Sequence, residues 1–375
     1  MKRARARVGK PAAKAPDPPP AALGFRMPAE WEPHAGTWIA WPHEASDWPG
    51  KLPAIEWVYG EVVRHLSVGE RVRILVSTAA VEKRARGVLR RVGVDGKRVQ
   101  LFRAPTDRSW TRDYCPIYVT DREGEVAATN WRFTGWAKYP NHKRDDAVND
   151  LIVRRDRRRQ WVPTAQIGRR TGRVVLEGGA IDVNGTGTLL ATEECLLDDK
   201  TQVRNPGLSR EALEAVLGAH LGVRKVLWLG RGIAGDDTHG HVDDLARFVD
   251  ETTVVVAQTS DPDDVNYEPL RENRARLERM TTADGRPLRV LSLPMPEPLY
   301  LDRIRLPASY ANFYIGNEAV LCPTFNDPND RAALEMLAAL FPTRRVVGIH
   351  AVDLVWGFGT LHCMTQQEPA RVTSG

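Results

Sequence analysis

Ile181-Asp-Val-Asn-Gly-Thr-Gly-Thr-Leu-Leu-Ala191, then Ser209-Arg-Glu-Ala-Leu-Glu-Ala-Val-Leu-Gly-Ala-His-Leu221, then Lys225-Val-Leu-Trp-Leu229, is the stretch that decides the fold. Residues 181–183 and 188–191 alternate around Asn184-Gly185, a pair suited to a tight hairpin turn. Residues 209–221 follow as a helix, with Ser209 as N-cap and Glu211 in the first turn, where a negative charge suits the helix dipole. Ala212 holds the third helical position, so no capping box closes it. Residues 225–229 then give a short apolar strand. The order is hairpin, helix, strand.

The same order recurs. Residues 37–41, 54–66 and 72–76 form a first, less regular copy. A second begins near 99–102 and 117–119, pairs with 126–131, and continues in a helix over 146–158. A fourth has strands at 245–249 and 253–258, a helix over 267–280 and a strand at 288–293. A fifth has 312–315 and 319–323 around Gly316-Asn317, a helix over 330–340 and a strand at 345–349. Five ββαβ units in one chain predict a closed radial array in which each unit buries its face against its neighbours. The fold class is α/β.

Composition sets the bounds. The chain has 375 residues, 42% of them apolar, ample for a core. No run of about 18 apolar residues suggests a membrane span, and the basic N-terminus lacks a secretory apolar core. The net charge of +5 comes wholly from Lys2, Arg3, Arg5, Arg7, Lys10 and Lys14 less Asp17, so residues 26–375 are formally neutral. With five prolines between Pro11 and Pro20, residues 1–25 read as a disordered tail. A solubilising role is favoured for it over a nucleic-acid arm, because the neutral body offers no broad basic surface. Cys115, Cys195, Cys322 and Cys363 include no C-x-x-C pair, which argues against a structural zinc site. Their low number fits a reducing, cytoplasmic setting.

Cys363 stands in Trp356-Gly-Phe-Gly-Thr-Leu-His-Cys-Met-Thr-Gln-Gln367. Gly357 and Gly359 permit close backbone approach just before the thiol. A reactive thiol needs partial exposure and a neighbour that favours thiolate. Cys195 and Cys322 lie in apolar runs and read as structural, and Cys115 is intermediate. His362 is a poor partner for the adjacent thiol, since neighbours in an extended chain face opposite ways. Gly235-Asp-Asp-Thr-His-Gly-His-Val-Asp-Asp244 is the densest polar cluster. In an extended segment His241 and Asp243 share a face, as a carboxylate-tuned acid/base would. The rival reading is a metal site of His239, His241 and Asp243. Asp113 in Trp110-Thr-Arg-Asp-Tyr114 and Glu177 before Gly178-Gly179 complete a set of one thiol, histidine and carboxylates. Such a set suits attack on a planar cationic carbon, because carboxylates grip a guanidinium by forked hydrogen bonds. Eight of eleven tryptophans lie between Trp31 and Trp136. Their faces suit a cation, though core packing accounts for most.

These segments resemble the agmatine deiminase family, within the guanidino-group modifying superfamily that also holds peptidylarginine deiminases. The matching pieces are Met27-Pro-Ala-Glu-Trp-Glu-Pro-His34 with Thr37-Trp38 and Trp41-Pro42, then Trp110-Thr-Arg-Asp113, Leu176-Glu-Gly-Gly179 with Thr192-Glu-Glu-Cys-Leu196, Gly240-His-Val-Asp243, and His362-Cys-Met-Thr-Gln-Gln367. The resemblance implies a pseudo-fivefold α/β propeller in one catalytic domain over 26–375. It implies that Cys363 attacks the guanidinium carbon while Asp113 and Asp243 hold its nitrogens. His241 would protonate departing ammonia and then activate water. Glu177 would orient His241, and Trp110, Trp136 and Asn312 would line the substrate. The product would be a ureido compound, N-carbamoylputrescine if the substrate is agmatine, which belongs to putrescine and polyamine metabolism. No metal or organic cofactor is implied. The partners are a small guanidino substrate and, as an open option, a second copy of the chain; neither a membrane nor nucleic acid is among them. Peptidyl-arginine is the alternative substrate, and a His/Asp metallohydrolase the alternative class.

Three departures from the family wording stand out: Gly357-Phe-Gly-Thr360 where Gly-Gly-Gly-Asn is usual, His239 where Asn is common, and the stretch Asn130-Trp-Arg-Phe-Thr-Gly-Trp-Ala-Lys-Tyr139. All are expected to border the pocket that reads the substrate's tail.

Overall fold

The computed structural model describes residues 17–371. It is a mixed α/β structure in which the hairpin–helix–strand order has a plain physical form. In the third unit, Asp182–Val183 pairs antiparallel with Thr188–Thr192, which pairs parallel with Lys225–Leu229. A parallel neighbour needs a crossover, and the helix Arg210–Leu221 supplies it, burying Leu213, Leu217 and Leu221 at four-residue spacing. Ser209 caps that helix by accepting from the Ala212 amide at 3.2 Å.

Three other sheets have the same order. They are Ile117–Thr120, Val126–Thr129 and Gln160–Trp161; Ala246–Phe248, Thr253–Gln258 and Arg289–Pro294; and Tyr314–Ile315, Ala319–Thr324 and Arg345–His350. The first sheet is different for a physical reason. His34–Ala40 runs parallel to Arg71–Val76, but its antiparallel partner is Gln366–Pro369, from the far end of the chain. No hairpin precedes His34, which is why the first copy reads as irregular.

Several local expectations need correction. Residues 99–102 do not open the second unit: Val99–Arg103 is the outer strand of the first sheet, beyond a second helix, Ala79–Arg91. A hairpin of Thr164–Ile167 and Arg170–Arg173, outside every expected unit, precedes residues 174–176, where Val175 makes one isolated bridge to Arg132. Asn184-Gly185 is not a two-residue turn, because Asn184 Oδ1 accepts from the amides of Thr186 and Thr188 in a longer loop.

The tail expected over residues 1–25 lies outside the described residues as far as residue 16. Beyond that, Pro20–Leu23 forms a 3-10 turn against the helix Arg210–Leu221. Trp161 Nε1 donates to the Pro18 carbonyl at 2.9 Å, and the Phe25 ring meets Trp161 at 5.2 Å. Among the described residues no helix is long and apolar enough to cross a membrane.

Candidate active site

The four hairpin-opened sheets are each entered through a short helical turn. These turns are Thr111–Tyr114, Gly178–Ala180, Val242–Asp244 and Tyr310–Asn312, and successive ones touch. They carry or adjoin Asp113, Glu177, His241, Asp243 and Asn312. Cys363 occupies the matching place before Gln366–Pro369. One structural position, repeated around the molecule, therefore brings together residues up to 250 positions apart.

The loop before Cys363 is held tightly. Phe358 takes a left-handed φ of 61°. A Cβ on Gly357 would lie 2.7 Å from the Trp110 ring, and one on Gly359 2.9 Å from it, so both positions exclude side chains. Asn312 Oδ1 accepts from the Thr360 hydroxyl at 2.8 Å and the His362 amide at 3.0 Å. Its Nδ2 donates to Cys363 Sγ at 3.1 Å. Asp243 Oδ2 lies 3.7 Å from the sulfur. The thiol is only 5% exposed, less than the partial exposure expected. Burial pushes its pKa well above the ordinary thiol value; Asp243, Asp244 and Asp113 push the same way, and the Asn312 amide opposes.

His241 is fully buried. The turn from Val242 to Asp244 is 3-10 rather than extended, yet His241 Nδ1 still stands 3.9 Å from Asp243 Oδ1 and 3.8 Å from Asp113 Oδ1. Its Nε2 lies 3.8 Å from Glu177 Oε2. Neither ring nitrogen has a hydrogen-bond partner. Burial alone would lower its pKa, but Asp113, Cys195 and Glu177 overcome that and hold it well above the usual histidine value. A Cβ on Gly179 would fall 2.5 Å from His241 Nδ1, so this glycine makes room for the imidazole.

The carboxylates differ in state. For Glu177, burial is outweighed by Arg204 and His241, which bring it down to about 2; Arg204 Nε reaches it at 3.2 Å. Asp113 is pushed up to about 6, chiefly by burial, with His241 opposing and Asp243 adding to the rise. Its Oδ2 accepts from Trp136 Nε1 at 2.8 Å and its Oδ1 from the Gly179 amide at 3.0 Å. For Asp243, burial is outweighed by His362, which lowers it. Its Oδ1 is buried without a partner.

His362 is a positioning residue that the sequence reading set aside. It does not face the thiol. Its Nδ1 lies 2.6 Å from Asp243 Oδ2 and its Nε2 2.7 Å from Glu30 Oε2. Glu30 is in turn paired with Arg112 at 3.1 Å and Arg247 at 3.0 Å. Glu30 was visible only as part of a motif. Arg204 and Arg247 had no sequence signal. Cys195, read as structural, is buried beside Glu177 and His241.

The rival metal triad does not converge. His239 Nε2 lies 2.8 Å from Asp198 Oδ2, away from His241. Two other donor sets are close enough for an ion, Glu177 with Cys195 and His241, and Asp243 with Asp244 and Cys363. Glu177 is engaged by Arg204, and Asp244 accepts from Asn312 at 2.9 Å.

A cavity opens over Cys363 and Asp113, walled by Trp110, Trp136, Gly359 and Tyr139. Trp110 and Trp136 therefore stand where a substrate would lie. Asn312 sits behind the sulfur. Of the three departures, residues 357–359 and the 130–139 stretch border the cavity; His239 does not.

A family model described as Porphyromonas-type peptidyl-arginine deiminase matches residues 26–369. An agmatine deiminase from Ectopseudomonas mendocina is 36% identical over 94% of this chain and 97% of its own length. The solved agmatine deiminase of Enterococcus faecalis superposes with a TM-score of 0.85 at 34% identity, covering 96% of this chain and 100% of that one. A substrate-bound agmatine deiminase from C. jejuni gives 0.80 at 28% identity, over 92% and 96%.

Proposed function

The chain belongs to the family of Porphyromonas-type peptidyl-arginine deiminases and agmatine deiminases, and on that premise we infer that it hydrolyses agmatine to N-carbamoylputrescine and ammonia. The observation that carries this reading is that Cys363 and Asp113 line one cavity while His241 and Asp243 stand directly behind them, 3.8 Å from Asp113 and 3.7 Å from the sulfur. The five sheets close as a pseudo-fivefold propeller in a single catalytic domain, with Gln366–Pro369 on His34–Ala40 as the closing contact.

The chemistry follows from the charges. Asp243 Oδ1 and Asp113 take the guanidinium nitrogens by charge-assisted hydrogen bonds. The arriving cation offsets the carboxylates that raise the Cys363 pKa, so on substrate binding the thiol gives its proton to solvent and stands as the thiolate. The sulfur attacks the guanidinium carbon. His241, whose neighbouring carboxylates favour its charged form, gives a proton to the departing nitrogen, and ammonia leaves a thiouronium on Cys363. Neutral His241 then takes a proton from water, whose oxygen attacks the same carbon. The C–S bond breaks as the hydroxyl of the tetrahedral adduct becomes the ureido carbonyl, and its proton passes to the departing sulfur, which restores the thiol. Glu177 holds the imidazole and Asn312 the sulfur.

The direct test is ammonia release from agmatine, free arginine, peptidyl-arginine and methylated arginines, with agmatine expected to be turned over best. No ammonia from any of them would overturn the reading.

Asp113→Asn and Asp243→Asn are each expected to cost ~2–4 kcal/mol in kcat/KM, or roughly 30- to 1,000-fold. Each leaves a guanidinium nitrogen without its charged acceptor in a closed site. Losses below about tenfold in both variants would remove the fork from the account. Chelators are expected to leave the rate unchanged. One equivalent of zinc or manganese per active chain, with activity lost on its removal, would move the assignment to a metallohydrolase.

A further inference from the structure

The outer half of the cavity contains two acids that the chemistry above does not use, Asp47 and Asp237. Asp237 is already engaged: Tyr139 donates to its Oδ2 at 2.7 Å, and Lys138 pairs with its other oxygen. Asp47 is different. It is 7% exposed and accepts from Arg108 through Oδ1, while its Oδ2 is buried with no partner. An unsatisfied buried carboxylate oxygen costs about 1–3 kcal/mol or more. That cost makes sense where a ligand supplies the missing donor.

Asp47 is also rigidly placed. The next residue, Trp48, packs on Trp110 at 5.4 Å and donates from Nε1 to the Leu354 carbonyl at 2.8 Å. It is thereby tied to the nucleophile loop. Arg108, the one cation lining the cavity, has its guanidinium stacked 4.1 Å from the Tyr139 ring and one nitrogen committed to Asp47. The cavity wall thus carries Asp47, Asp113 and Asp237 against Arg108, with Asp243 behind. Such a field favours a dication over a zwitterion.

We propose that Asp47 determines substrate specificity by accepting, through Oδ2, a second cationic group on the tail of the guanidino substrate. This rests on the deimination reading and names its substrate class: guanidino-amines, in preference to guanidines with neutral or carboxylated tails. Burial, opposed by Arg108 and reinforced by Glu44, holds the Asp47 carboxyl up to about 7 in the empty site. An ammonium there restores its charge.

The experiment compares agmatine with n-butylguanidine, which has the same chain but no terminal ammonium, the latter assayed as substrate or as competitive inhibitor. In Asp47→Asn the preference for agmatine over butylguanidine should fall about tenfold or more, through KM rather than kcat. Asp237→Asn should keep the preference, because Asp237 is already engaged by Lys138 and Tyr139 and leaves the Asp47–Arg108 pair in place. An equal loss for both compounds in Asp47→Asn would show a purely structural role and overturn the proposal. So would the same loss of preference in Asp237→Asn. A wild-type chain that releases ammonia from neither compound would instead overturn the deimination reading, and this assignment with it.

Discussion

Cys363→Ser is expected to abolish ammonia release while the fold persists. A serine hydroxyl at this position faces the same burial and the same carboxylates that already raise the thiol pKa. The incoming cation can tip a thiol towards its anion, but not a hydroxyl, whose pKa is far higher. The loss should be on the order of a thousandfold or more in kcat. Thermal melting should shift little, since the change is nearly isosteric in a cavity wall. The controls need care. Cys115 and Cys322 are buried away from the cavity lining, and their serine variants should retain activity. Cys195 stands beside His241 and Glu177, so Cys195→Ser is not a neutral control, contrary to its apolar sequence context. Near-normal turnover by Cys363→Ser would end the assignment.

His241→Asn should lower kcat by about a hundredfold to ten-thousandfold, the range of a general acid/base. Loss of the proton donor hinders ammonia departure, and loss of the base strands the thiouronium. The variant should therefore accumulate an adduct on Cys363 whenever attack still occurs. His239→Asn should spare the chemistry. His239 has a left-handed φ of 65°, a conformation that asparagine accepts readily, and its ring faces Asp198 outside the cavity. Normal rates in His241→Asn, or a dead His239→Asn, would reverse the two roles.

The sequence exposed the repeat because its physics is local. Residues 225–229 and 253–258 coincide with strands, and the helix expected at 209–221 begins one residue after its Ser209 cap. The residues proposed to react were legible for a related reason. Asp113, Glu177, Asp243 and Cys363 all precede a first strand, where glycine or helical punctuation interrupts the apolar pattern. What stayed hidden is long-range. Nothing near Gln366–Pro369 shows that it pairs with His34–Ala40. The bridge from Asp243 through His362 to Glu30 joins residues 119 and 332 positions apart. Arg204 looks like a surface arginine until Glu177 is folded against it. Residues 361–364 form a turn rather than an extended chain, so neighbour alternation does not apply there, and the sequence could not show that His362 faces Asp243 and Glu30.

The measurement closest to the central claim is intact-mass analysis of acid-quenched His241→Asn after mixing with agmatine, followed by mapping of the modified peptide. The expected result is a gain equal to agmatine less ammonia, located on Cys363 and absent when Cys363→Ser is added to the same chain. A gain on Cys115, Cys195 or Cys322, or one that survives Cys363→Ser, would contradict the account.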